Sequence, residues 1–169
     1  MTRDYYACRY RLHHAEGYFL WFSDDHDGVW IDQIGRMPRF GTFAALQAYA
    51  QQHGIQLAFD DPTAYDLDAL SGWLAQPSAA TLDCVSLLDA WNLFADVAAS
   101  AQVPFDSDRQ ATEKIYDKLF YGNNLPSVTP PGRRYVPLWT DAEIELIRTT
   151  LAQGLAVFRR AIRDAAPKG

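Results

Sequence analysis

Over the first forty residues apolar and polar side chains alternate, whereas from Thr42 onward apolar positions recur every three or four residues. That change of period divides the chain into an N-terminal sheet and a longer helical remainder. Three strands are predicted over 5–12, 18–23 and 29–34, each rich in aromatic and β-branched residues. The links His13-His14-Ala15-Glu16-Gly17 and Asp24-Asp25-His26-Asp27-Gly28 are polar, and each ends in a glycine able to take positive φ, so an antiparallel meander is expected. The middle strand is apolar on both sides, with Phe19 and Trp21 on one face and Tyr18, Leu20 and Phe22 on the other. It therefore belongs in the centre of the sheet, with something covering its second face.

The helical part carries its own punctuation. Thr42 is placed to cap a helix bearing Phe43, Leu46, Tyr49 and Ala50, which stops at Gly54. A fourth short strand is expected over 55–59. Asp66 caps a brief helix with Leu67, Leu70, Trp73 and Leu74 on one face, and Pro77 ends it. A longer helix over 82–101 carries Leu87, Leu88, Trp91, Phe94, Ala95 and Ala98, and another starts near Ser107 and stops at Gly122. The last helix opens on Thr140-Asp141-Ala142-Glu143, a capping box in which the Thr hydroxyl and the Glu carboxylate satisfy each other's backbone amides. Its stripe is Ile144, Ile147, Leu151, Leu155, Phe158 and Ile162. Gly154 lies inside it at a cost of about 1 kcal/mol relative to Ala, which points to a close neighbour. The expected fold class is α+β: an N-terminal antiparallel sheet of three to four strands packed against about five helices, in one domain spanning 1–169.

Composition agrees with a globular chain. Of 169 residues, 49% are hydrophobic and 21% charged, enough to bury roughly 70% of the unfolded surface without disulfides or a structural metal. No apolar run reaches transmembrane length and no secretory leader is evident, so a cytoplasmic protein with no membrane partner is expected.

Charge is uneven. Residues 1–23 carry a net +1, residues 24–96 a net -9 and residues 97–169 a net +2. With only Arg36 and Arg39 in its middle third, that part cannot neutralise a phosphate backbone, and nucleic acid is not an expected partner. A basic protein is the better electrostatic match.

Chemistry is sparse. The Asp24-Asp25-His26-Asp27 cluster has ligand-type side chains, but lacks the glycine and the closing glutamate of a calcium-binding loop, and Gly28 makes it a turn. There is no Gly-x-Ser-x-Gly elbow and no phosphate-binding glycine loop. Cys84 lies in a helical first turn, where the dipole lowers a thiol pKa and neighbouring Asp83 raises it; Cys8 lies in a strand. No catalytic residue, metal ligand or cofactor is assigned. The segment 116–132, which joins a helix end to a Pro-rich loop, reads either as a rigid strap anchored by Tyr135, Leu138 and Trp139 or as a partner-binding loop, with Asn123 and Asn124 following Gly122.

The phrases Tyr65-Asp66-Leu67-Asp68, Leu88-Asp89-Ala90-Trp91-Asn92-Leu93-Phe94 and 116–131 resemble those of small bacterial proteins of the immunity type, from contact-dependent and other polymorphic toxin systems. The resemblance implies a cytoplasmic, non-enzymatic protein that binds and blocks a toxin. The residues expected to meet such a partner are Asp24, Asp25, Asp27, Asp60, Asp61, Asn123 and Asn124, steering a basic toxin domain towards steric occlusion. Two other classes stay open: a small-ligand-binding or metal-dependent enzymatic domain, which needs a pocket of convergent polar groups, and an oligomeric scaffold, which needs an exposed aromatic patch.

Overall fold

The computed structural model describes residues 2–58 and 61–164. Asp60, one of the expected partner-binding residues, lies outside them. Strands β1 (Asp4–Leu12) and β2 (Ala15–Ser23) form a long antiparallel hairpin, joined on one edge by β3 (Gly28–Val29) and on the other by β5 (Thr63–Asp66), in the order β3-β2-β1-β5. A separate two-stranded ladder pairs β4 (Met37–Arg39) in parallel with β6 (Ile162–Asp164). Five α-helices complete the described residues: α1 (Phe43–Gln52), α2 (Leu67–Ala75), α3 (Cys84–Ala101), α4 (Arg109–Gly122) and α5 (Asp141–Ala161). The fold is α+β with an N-terminal sheet.

The hairpin turn is tighter than the polar link suggested. It contains only His13 and His14, both at positive φ (53° and 58°), the mirror-image turn whose twist matches paired strands. Asp68 in the first turn of α2 holds it, accepting from the His13 amide at 2.7 Å and the His14 amide at 2.9 Å. Gly17 therefore does not supply a positive φ. It lies within β2 opposite Tyr10, and a Cβ there would sit 2.5 Å from the Tyr10 hydroxyl.

Two expected strands are corrected. The segment 29–34 leaves the sheet after Val29, because the Asp32 carboxylate accepts from the Ile34 and Arg36 amides and Gly35 turns at φ 80°. Of the segment 55–59, Phe59 lies outside the described residues and 55–58 contribute only a parallel bridge from Leu57 to Tyr5; the fourth strand forms later, at 63–66, along the same edge of β1. Its pairing is parallel, so the sheet is mixed rather than antiparallel throughout.

Both faces of the central hairpin are covered. Cys8, Tyr10, Leu12 and Phe19 pack against α3 and α5 in the larger core, while Ala7 and Leu20 meet Leu46 and Ala50 of α1 in the smaller one. The apolar second face of β2 is thus closed by α1. In the larger core α5 crosses α3 at Gly154, where a Cβ would lie 2.2 Å from the Phe94 ring; this is the close approach its position suggested. The Thr140–Glu143 capping box is present, as are the N-caps Thr42 and Asp66, whereas α4 is capped by Asp108 instead of Ser107. Among the described residues no helix is long and apolar enough to cross a membrane.

Candidate functional site

The expected aspartates separate into two groups. Asp24 is spent on the turn between β2 and β3: it accepts from Arg3 Nε at 2.6 Å and from the His26 amide at 2.9 Å, which holds its carboxyl below the usual range. Asp25 is exposed beside it, and Asp27 accepts from the Ser23 hydroxyl at 2.8 Å. Asp61 stands apart, on the rim of a hollow of about 250 Å³ lined by Tyr6, Cys8, Trp21, Thr63 and Tyr65.

That hollow adjoins a second, of about 310 Å³, between β5, α2 and the start of α3, and Tyr65 lines both. The local sequence explains the placement. Strand β5 turns directly into α2, so Tyr65 faces α3 while the Asp66 side chain caps α2, accepting from the Ala69 amide at 2.9 Å. Helix α3 runs alongside with Leu87, Trp91, Phe94 and Ala98 buried, which leaves Asp89 and Asp96 on its flank. Trp21 donates from Nε1 to Asp96 at 2.9 Å, tying the sheet to this flank.

The groove is electrostatically one-sided. Burial raises the Asp96 carboxyl above its ordinary value, the Trp21 hydrogen bond opposes this, and Asp27 adds repulsion. Burial also raises Asp89, reinforced by Asp83, the N-cap of α3. Burial pushes the Cys8 thiol up to about 12, with a contribution from Asp96, and holds the Tyr65 hydroxyl well above its usual value, with contributions from Cys8, Asp89 and Asp96. Among the described residues none of Asp27, Asp61, Asp83, Asp89 and Asp96 forms an ion pair. Of the expected residues, Asp61 lines the first hollow and Asp27 acts only through its charge on Asp96; Asp83 and Asp89 line the second hollow, and Asp96 is reached through its hydrogen bond from Trp21. The signal for the missed pair was the seven-residue spacing of Asp89 and Asp96, which places them on one helical face.

In chemical terms the lining is aromatic and acidic. A thiol with a pKa of about 12 is protonated at neutral pH and is no nucleophile. Among the described residues no three His, Cys, Asp or Glu side chains gather to hold a metal ion. Aromatic rings beside carboxylates without counter-ions suit a Lys or Arg side chain, whose apolar stem lies on a ring while its head meets the acid.

The other expected pair, Asn123 and Asn124, has internal duties. Asn123 donates to the Leu119 and Cys84 carbonyls at 2.7 and 3.3 Å. Asn124, at φ 52°, donates to the Tyr135 carbonyl at 2.9 Å and accepts from the Tyr135 amide at 2.6 Å, closing the base of the strap. Of the three expected anchors only Trp139 packs against the core; Tyr135 is exposed and Leu138 is 85% exposed. The anchoring is done instead by polar side chains: besides Asn124, Lys118 donates to the Leu138 carbonyl and pairs with Glu143 at 2.8 Å.

No family model matches the chain, and no curated protein matches its sequence. Among solved structures it is similar to the SatS C-terminal domain, crystallised in complex with bromine, with a TM-score of 0.62 at 16% identity. The likeness covers 96% of this chain and 94% of that domain, and at such low identity it speaks to architecture alone. Along nearly its whole length, the chain has the fold of the SatS C-terminal domain.

Proposed function

We propose that this chain is a protein-binding inhibitor of the immunity type, which takes a basic protein partner on the acidic groove around Tyr65. The observation that carries the reading is the set Asp27, Asp61, Asp83, Asp89 and Asp96, without ion pairs among the described residues, around Tyr65 and Trp21. Like charges held together, two of them partly desolvated, oppose folding, and a cationic partner relieves that opposition on binding. The narrower reading, neutralisation of a toxin in the cytoplasm, rests on the resemblance of residues 65–68, 88–94 and 116–131 to immunity proteins.

The test is co-purification from the native host at low and high salt, followed by binding kinetics with the protein identified. A stoichiometric basic partner is expected, whose association slows as salt rises and slows about tenfold in the Asp89→Asn/Asp96→Asn variant. Co-expression should then abolish the partner's toxicity. A partner whose association rate ignores both salt and the double substitution would remove the groove from the mechanism.

A further inference from the structure

A second surface of opposite character lies on the strap between α4 and α5. Among the described residues nine large hydrophobic side chains are exposed, and six of them fall between positions 121 and 138: Tyr121, Leu125, Val128, Tyr135, Val136 and Leu138. Single exposed apolar residues need no explanation, but this concentration in one short segment does. The segment also forms a shallow, open hollow of about 410 Å³, lined by Tyr121, Val128, Pro130, Arg133, Arg134 and Tyr135.

The strap is held in a form that keeps these side chains outward. Asn124 clamps Tyr135 across its base, the Val128 and Thr129 amides donate to the Leu125 carbonyl, and the Arg133 amide donates to that of Pro130. Pro126, Pro130 and Pro131 restrict the backbone further, and Lys118 lies over the Trp139 ring at 4.6 Å at the far end. A ligand meeting this surface orders little that is not already ordered, so less of the contact energy is lost to entropy.

Charge selects the occupant. Arg133 and Arg134 line the hollow and form no ion pair among the described residues, in a chain whose net charge is -6. Two guanidinium groups are too few to hold a phosphate backbone, yet they match two carboxylates flanking an apolar side chain. We infer that the strap is a docking site for an extended protein segment that places a bulky apolar residue in the hollow and Asp or Glu side chains on Arg133 and Arg134. This site is independent of the acidic groove and takes a partner of the opposite charge.

Selection of a random peptide library on the immobilised intact protein tests it, with the enriched peptides then labelled and titrated by fluorescence polarisation. Enriched sequences should pair a Trp, Phe or Leu with at least two acidic residues. Their affinity should fall about tenfold in Arg133→Ala/Arg134→Ala, where both sites of substitution are exposed and folding can be verified by circular dichroism. It should stay unchanged in Asp89→Asn/Asp96→Asn, which separates this site from the groove. Enrichment of basic sequences only, no enrichment at all, or peptides that bind the arginine variant at full strength would each overturn the inference. So would sedimentation showing that the protein self-associates and that the arginine variant abolishes it, since a second copy would then cover the strap.

Discussion

The same substitution, Gly to Ala, should have opposite effects at two helical glycines. In a helix interior the exchange gains about 1 kcal/mol from backbone entropy and propensity. Gly72 in α2 has open space where a Cβ would go, so Gly72→Ala should keep that gain and raise Tm by about 2–4 °C for a chain of this size. At Gly154 the added Cβ would lie 2.2, 2.6 and 2.8 Å from three carbons of Phe94, far inside any normal contact. Phe94 is fully buried, and its ring has Phe105 and Phe158 at centroid distances of 6.4 Å, so it has nowhere to retreat. Overpacking of this kind costs about 1–3 kcal/mol. Taking the upper end against the propensity gain leaves a net loss of about 2 kcal/mol and a Tm lower by about 4–8 °C. Urea and thermal denaturation of the two variants beside the parent measure both numbers. If Gly154→Ala proved as stabilising as Gly72→Ala, the packing of α5 on α3 described above would be wrong.

Three further outcomes are expected. Because the Asp96 carboxyl titrates above its ordinary value of 3.8 in the fold, the native state keeps that proton longer than the unfolded chain does, and stability falls as pH rises from about 4 through the raised value. Asp96→Asn should therefore raise Tm at neutral pH, modestly given the partial exposure of Asp96, and leave it unchanged below pH ~3.5; a gain independent of pH would contradict the cause given. Asn124→Ala removes both hydrogen bonds to Tyr135, worth about 1–2 kcal/mol together, and should speed tryptic cleavage after Arg133 and Arg134 about tenfold while the global Tm moves little. A thiol reagent at pH 8 should modify half-buried Cys84 well before buried Cys8, as mass spectrometry of the digested protein would show; equal rates would mean that β1 opens readily.

Features set by near neighbours were legible in the sequence. The Thr140–Glu143 box and the Asp66 cap depend on residues three positions away, the two-faced apolarity of β2 announces a central strand, and a glycine amid a helical stripe announces a close crossing. What was not legible depends on partners far away in the chain. Strand β5 is specified by the free edge of β1 some fifty-five residues earlier, since Cys8 pairs with Thr63, and its own four residues carry little apolar alternation. The groove was hidden for a related reason: Asp89 and Asp96 look like the ordinary polar flank of an amphipathic helix until Tyr65 and Trp21 are folded against them. Asn123 and Asn124 show the converse, polar side chains that look available and are used internally.

The small β4–β6 ladder ties the order of synthesis to the order of assembly. Arg39 meets Asp164 across 125 positions, at 3.2 Å, and Met37, fully buried, lies opposite Ile162. A chain emerging from the ribosome has its hairpin and α1 available early, yet the strand that pairs with β4 arrives only after all of α5 has been made. Until then Met37 lacks its partner Ile162, although nearby Phe40 can already bridge to Tyr18 of β2. Closure of this ladder is therefore a late, long-range step, of the kind that slows folding and leaves apolar surface open to chaperones meanwhile.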